Sequence, residues 1–335
     1  MAGPSVLITG ATGFLGRWSI PALLKRGYSV HAVGSPRSIS QRPFPAEISG
    51  AIPHVLDLLD LAAVCKLIEE IRPSHLLHFA WYAVPGAYWT SLDNFTWVAA
   101  SLHLIQRFHA AGGRRAVIAG TCAEYDWSRA TLCDEQSTPV VLGSLSSASP
   151  YAICKAALQR MLDSYARTAG LSLAWGRIFF QYGPYEPESR LVPSVICALL
   201  RGERAACSDV SQVRSFLYSQ DVGEAFAALL DCNVEGPVNI GADGEISIAE
   251  LVRTIGLLIG RPELIALGTR PMLPNEPPYL LPDLTRLRRE VGWQPLHDLE
   301  TGLRKTIGWW LKKMEEPIFT GSSSDKLNHT YDIGK

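Results

Sequence analysis

Short apolar runs rich in β-branched residues alternate along the chain with longer segments of helical spacing. Residues 5–9 form a strand-length run, a helical apolar pattern follows to about Arg26, and Gly27 is placed to end it. Strand-length runs recur at 28–33, 52–56, 75–80, 116–119 and 171–176, and 61–71, 89–111 and 151–168 carry the helical period between most of them. Alternation of this kind predicts βαβ units, hence a parallel sheet covered on both faces. Beyond Trp175 the pattern changes. Residues 183–187 read as a turn, 191–202, 221–230 and 299–313 as helices, and 213–218 and 237–240 as strands. From 261 to 283 the chain reads as irregular, because five prolines within 271–282 exclude a central strand or a helix interior. Residues 317–335 read as a mobile tail.

Composition narrows the class. With 335 residues, 47% of them hydrophobic and 19% charged, the chain can fill one large core or two coupled ones and is not disordered. Its 31 Lys and Arg against 32 Asp and Glu exclude a general electrostatic footprint for nucleic acid or anionic membrane. Seven cysteines without a C-x-x-C pair read as reduced thiols rather than a disulfide framework. Arg17 follows the first apolar stretch instead of preceding it, and no run approaches the ~18 apolar residues of a spanning helix. A cytoplasmic protein is expected.

The most informative local feature is Thr9-Gly10-Ala-Thr12-Gly13-Phe14-Leu15-Gly16, set directly between the first strand and first helix. Glycines there allow close backbone approach, and the free N–H groups and helix dipole favour a pyrophosphate. This segment resembles the cofactor loop of the extended short-chain dehydrogenases/reductases. The likeness continues in Asp57-Leu58, in His78-Phe79-Ala80-Trp81, in Thr121, Tyr151 and Lys155, in Asn239-Ile-Gly241 and in Glu290-Val-Gly-Trp-Gln-Pro295, and so reaches to about residue 314. It implies a Rossmann-type doubly wound parallel sheet over 1–176 and about 219–241. A smaller mixed α/β substrate-binding lobe would then be formed by about 177–218 and 242–316. It also implies that Gly10, Thr12, Gly13, Phe14, Leu15, Gly16, Asp57, Leu58, Phe79, Ala80, Trp81, Tyr151 and Lys155 line a nicotinamide dinucleotide.

Tyr151 and Lys155 are four apart on a helix and share one face. An ammonium beside a phenol favours the phenolate, which makes proton exchange with a substrate oxygen feasible near neutral pH. Tyr-x-x-x-Lys alone also describes a surface pair. With Thr121 in the family's Ser/Thr position, the resemblance implies that Tyr151 exchanges the hydroxyl proton, Lys155 tunes it and holds the ribose, and Thr121 orients the oxygen.

NAD-preferring members carry a carboxylate at the end of the second strand. Here that stretch reads Val33-Gly34-Ser35-Pro36-Arg37, and Arg37 with Ser35 or Ser38 can meet a 2′-phosphate, so NADP(H) is the expected cofactor, with NAD(H) the other possibility. The resembling 4,6-dehydratases follow the catalytic Thr with Asp-Glu; this chain has Cys122-Ala123. Epimerase–reductases of the family place a Cys two residues after the catalytic Ser and use a His, yet no His lies between 110 and 296. Simple NADPH-dependent reduction of a keto group, at C4 by family habit, on a nucleotide-linked deoxysugar remains. Its rivals are a 4-epimerase with bound NAD, a small-ketone or acyl-CoA reductase, and a non-catalytic NADP(H)-sensing protein, which would have no use for an acid–base pair.

Resemblance further assigns Arg190, Leu191 and Arg214 to the nucleoside diphosphate, with Arg214 on the pyrophosphate, and Thr121 to the substrate oxygen. Asp221 reads as a helix N-cap or first-turn acid, and Cys122 as a packing residue. Trp81, Tyr82, Tyr88 and Trp89 read equally as a sugar pocket and as core or dimer-face aromatics. His75 and His78 face opposite sides of a strand, so no metal site is expected. A homodimer built on the helices at 89–111 and 151–168 is the family's habit.

Overall fold

A computed structural model describes residues 3–41, 44, 48–128, 131–143, 148–208, 211–269 and 277–315. The tail expected at 317–335 and the first half of the proline-rich stretch, 271–276, lie outside them. The chain begins β1 (Ser5–Thr9), α1 (Gly16–Lys25), β2 (Ser29–Gly34), α2 (Pro36–Gln41), β3 (Ile52–Val55), α3 (Leu61–Ile71), β4 (His75–His78), α4 (Asp93–Ala110) and β5 (Arg115–Thr121). It continues through β6 (Leu132–Cys133), α5 (Pro150–Ala169), β7 (Ser172–Ile178), β8 (Phe180–Tyr182), α6 (Leu191–Arg201), β9 (Ala205–Ala206), β10 (Val213–Arg214), β11 (Phe216–Tyr218) and α7 (Ser219–Asp231). The last described elements are β12 (Gly236–Ile240), β13 (Ile246–Ser247), α8 (Ile248–Ile259), β14 (Ile265–Ala266), β15 (Tyr279–Pro282), α9 (Thr285–Arg289) and α10 (Leu299–Glu315).

Seven strands form one parallel sheet in the order β12-β7-β5-β4-β1-β2-β3. Alternation within β1 shows why both faces are covered: Val6 and Ile8 join Ile20, Leu23 and Phe226 under α1 and α7, while Leu7 joins Val64, Phe108 and Leu162 under α3, α4 and α5. This is the expected Rossmann-type doubly wound fold. A third core, with Val195, Leu251, Ile255 and Ile307, is built by α6, α8 and α10. A four-stranded mixed sheet, β13-β10-β15-β6, and two strand pairs complete the smaller part.

Three expectations are corrected. The helix expected from residue 89 starts at Asp93, because the Asn94 amide donates to the carbonyls of Tyr88 and Ser91 and holds 88–91 as a turn. The single strand expected over 213–218 breaks at Ser215 into β10 and β11, which join different sheets. A strand does arise among the prolines: β15 lies between β10 and β6. It is tolerated because Leu281 and Asp283 supply the N–H groups to β6, and β10 has stopped pairing at Leu280 before Pro282. α8 has no counterpart in the sequence expectations, although Ser247-x-x-Glu250 forms a complete capping box ahead of it.

Candidate active site

The strand order turns outward in both directions from β1 and β4, so their carboxyl ends open a crevice, the usual ligand position in such sheets. The loop after β1 supplies Gly10, Thr12, Gly13, Phe14, Leu15 and Gly16; the segment after β4 supplies Phe79, Ala80 and Trp81. Gly10 has φ +68°, and a Cβ there would lie 2.8 Å from the Ala80 nitrogen. At Gly16 a Cβ would lie 2.4 Å from the Gly10 carbonyl oxygen, so only glycine lets α1 start this close to the strand. The N-terminus of α1 has no side-chain cap and no acid in its first turn. Its free N–H groups and dipole therefore suit an anion, and the cradle fits a dinucleotide pyrophosphate. Buried Arg17 braces the loop from behind, donating to the carbonyls of Gly13 (3.0 Å) and Thr12 (2.6 Å) with Tyr185 stacked at 3.7 Å.

At the end of β2, the Ser35 hydroxyl accepts from the Ser38 N–H (3.1 Å) and caps α2, while the Ser38 hydroxyl meets Thr12 (3.1 Å). Arg37 is exposed in the first turn of α2. Asp57 is exposed and accepts from the Leu59 N–H (3.0 Å); Leu58 is buried.

Thr121 ends β5, and α5 opens beside it with Ser149 as cap and Pro150 in its first turn, which places Tyr151 and Lys155 over the strand. The Tyr151 hydroxyl is hydrogen-bonded to the Thr121 side chain. Lys155, 4% exposed, donates from Nζ to the Ala119 carbonyl at 2.9 Å. Its ammonium also lies 3.8 Å from the centroid of Trp81. Desolvation lowers Lys155 to about 7, opposed by the Glu124 carboxylate. Desolvation raises the Tyr151 phenol above its ordinary value, opposed by the Thr121 hydrogen bond. That direction is opposite to the lowering expected from Lys155, whose ammonium is turned to Ala119 and Trp81.

Behind Thr121 lies a cluster that sequence reasoning missed. Glu124 is fully buried; it accepts from the Thr121 N–H (2.8 Å), from Trp175 Nε1 (2.9 Å) and from Arg177 Nε (2.8 Å). Gly120 makes room for it, since a Cβ there would lie 2.0 Å from Trp175 Nε1. The readable signal was Thr121-x-x-Glu124, a capping box, which the structure forms. Cys122 is buried with its thiol pushed up to about 12, chiefly by desolvation, and is a packing residue.

Of the residues expected at the substrate, Arg190 stands at the N-cap of α6 without a capping side-chain bond, pairs with Glu186 at 3.7 Å and interacts with Tyr88; Leu191 is the first residue of that helix. Arg214 is 2% exposed, and its guanidinium donates to the carbonyls of Val213 (2.8 Å), Pro277 (2.8 Å) and Pro278 (3.3 Å). These bonds tie the segment before β15 to β10. Asp221 is not the N-cap of α7, which is Tyr218; it is a buried first-turn acid that accepts from the His297 N–H (3.0 Å) and pairs with its Nδ1 (2.8 Å). His78 sits between Thr9 (2.7 Å) and Ser101 (2.9 Å) and is lowered to about 3 by burial. Among the described residues no cluster of His, Cys, Asp or Glu could hold a metal, and no helix is long and apolar enough to cross a membrane. The aromatics after β4 pack on Tyr151: Tyr88 and Trp89 meet its ring edge-on, with centroids at 4.8 and 5.5 Å.

The model of the NAD dependent epimerase/dehydratase family matches residues 6–241. The chain is 26% identical to a dTDP-glucose 4,6-dehydratase of Xanthomonas campestris pv. campestris, over 91% of this chain and 92% of that one. It is 28% identical to a UDP-N-acetyl-alpha-D-glucosaminuronate decarboxylase of Bacillus cytotoxicus, over 91% and 97%. The fold matches the UDP-N-acetylglucosamine 4-epimerase of Methanobrevibacter ruminantium, solved with UDP-N-acetylmuramic acid, at TM-score 0.81 and 23% identity, over 94% of this chain and 100% of that one.

Proposed function

Since the chain belongs to the NAD dependent epimerase/dehydratase family, we propose that it reduces a keto group, at C4, of a nucleotide-linked deoxysugar, with NADPH as reductant. One observation carries this reading: Tyr151 is paired with Thr121, Lys155 stands one turn along the same helix, and among the described residues no second acid–base pair stands beside them. Water elimination needs its own acid and base. Here position 122 is a buried thiol raised to about 12, position 123 is alanine, and Glu124 is committed to Thr121, Trp175 and Arg177. Keto–hydroxyl interconversion needs a single proton donor, which this site has. The nucleotide-linked substrate is inferred from what the relatives act on.

Bound in the crevice, a reduced nicotinamide supplies a hydride to the carbonyl carbon. As the carbonyl electron pair moves onto oxygen, that oxygen takes the proton from Tyr151 Oη. Desolvation keeps the phenol protonated beforehand, the state a reduction requires. Thr121 donates a second hydrogen bond to the same oxygen and sets its approach. Arg190, which interacts with Tyr88 and Glu186, is assigned to the substrate by the resemblance. A reducing cytoplasm suits the seven free cysteines. A homodimer remains part of the proposal, with exposed Leu92 at the N-cap of α4, Phe95 on α4 and Met161 on α5 available for it.

The preference for NADPH rests on Arg37 and on the absence of a carboxylate after β2. Arg37→Ala is expected to lower the NADPH/NADH ratio of kcat/KM by about tenfold to a hundredfold, the worth of one or two hydrogen bonds to a phosphate. The assay is a panel of dTDP-, CDP-, GDP- and UDP-linked 4-keto sugars with either reduced cofactor, read by nicotinamide absorbance. An unchanged ratio overturns the cofactor assignment.

A further inference from the structure

We propose that Trp81 and Asn94 are positioning residues for the acid–base pair: the Trp81 indole clamps Lys155, and Asn94 ties that indole to the turn packed against Tyr151. The proposal rests on the reading of Tyr151 and Lys155 as the acid–base pair and goes beyond the place along the cofactor that the resemblance gave Trp81.

The contacts form one continuous path. Lys155 Nζ lies between the Ala119 carbonyl at 2.9 Å and the face of Trp81 at 3.8 Å. Trp81 Nε1 donates to Asn94 Oδ1 at 2.8 Å. The Asn94 side chain is fully buried, and its Nδ2 donates to the carbonyls of Tyr88 and Ser91, each at 2.8 Å. Tyr88 and Trp89, on the turn so held, meet the Tyr151 ring edge-on, and the Trp89 carbonyl accepts from the Tyr151 N–H at 3.3 Å. A single buried amide thus uses both of its N–H donors and its oxygen to fix what touches each member of the pair. An indole held only by packing could rotate off the ammonium; a hydrogen bond to a buried, otherwise satisfied amide prevents that.

The electrostatic consequence is specific. The titratable groups that act on Lys155 are the Glu124 carboxylate beyond the end of β5 and His78 on β4, kept neutral by burial; Tyr151 lies one turn away on its own helix, and Arg177 is paired with Glu124. Only Glu124 supplies opposite charge, so the ring face of Trp81 adds attraction for the ammonium without adding a titrating group. Removing the indole should therefore lower the titration midpoint of Lys155.

The test is a carbon-13 NMR titration of the full chain carrying side-chain-labelled lysine, with the Lys155 resonance assigned by its loss in Lys155→Met. The expected result is a midpoint lowered by about one pH unit in Trp81→Leu, a roughly tenfold change in the protonation constant, and by less in Trp81→Phe, which keeps a weaker ring face. Asn94→Leu, which frees the indole, should also lower it. A purely structural Trp81 would reduce the melting temperature of these variants and leave Lys155 where it was. Should Trp81→Leu fail to fold, Trp81→Phe and Asn94→Leu carry the measurement. An unmoved midpoint in the folded variants overturns the clamp, whatever the enzyme turns over. A lowered midpoint in a protein that turns over no keto sugar supports the clamp and overturns the proposed function.

Discussion

Tyr151→Phe is expected to lower kcat by about 10²–10⁴-fold while NADPH affinity stays within a factor of about three, because the phenol's proton is used in the chemical step. The phenyl ring preserves the edge contacts with Tyr88 and Trp89, so the turn between β4 and α4 keeps its seat. What disappears is the one hydroxyl in the pair able to release a proton to a developing alkoxide. Thr121 remains beside the substrate oxygen but is far too weak an acid to replace it. Since the lost interaction is made in the transition state, kcat and kcat/KM should fall together. Steady-state kinetics with a fluorescence titration of NADPH separate the two effects. Activity within tenfold of the unaltered enzyme would remove Tyr151 from the proton path.

The second large effect is one of stability. Glu124→Ala leaves the Arg177 guanidinium buried without its counter-charge, and strips Trp175 Nε1 and the Thr121 N–H of their acceptor. Breaking a buried pair from one side costs about 3–5 kcal/mol, which lowers the melting temperature by on the order of 10 °C in a chain of this size. Because the same carboxylate holds the Thr121 backbone, kcat should fall even in the folded fraction. Glu124→Gln keeps two of the acceptor contacts and should lose less stability. Thermal and denaturant unfolding of both variants decide the point; an alanine variant as stable as the parent would show that Glu124 does not anchor this corner.

What could be read from the sequence was local. The glycine loop lies between a strand and a helix that are its immediate neighbours, and Tyr151 and Lys155 are one turn apart, so periodicity and spacing were enough to place them. Long-range pairings were not legible. The carbonyls that meet Arg214 come from Pro277 and Pro278, more than sixty residues on. Glu124 is separated from Arg177 by 53 residues, and only the capping-box spacing hinted at its burial. Composition also misled at β15: five prolines argued against a central strand, whereas the alternation of N–H directions along a strand lets Pro282 sit where no donor is needed. The aromatics after β4 could not be assigned from sequence, because Trp81 is oriented by Asn94 and by Lys155, the latter on a different helix.

The central claim is that this site delivers hydride to a sugar carbonyl and finishes with an alcohol and oxidised cofactor. Reaction of the matching nucleotide-linked 4-keto sugar with 4-deuterated NADPH, followed by mass spectrometry of the product, tests it most directly. The expected result is one deuterium on the sugar carbon for each NADPH oxidised, with the transfer slowed about 10²–10⁴-fold in Tyr151→Phe. Conversion of a nucleotide sugar to its epimer with no net oxidation of cofactor would contradict it.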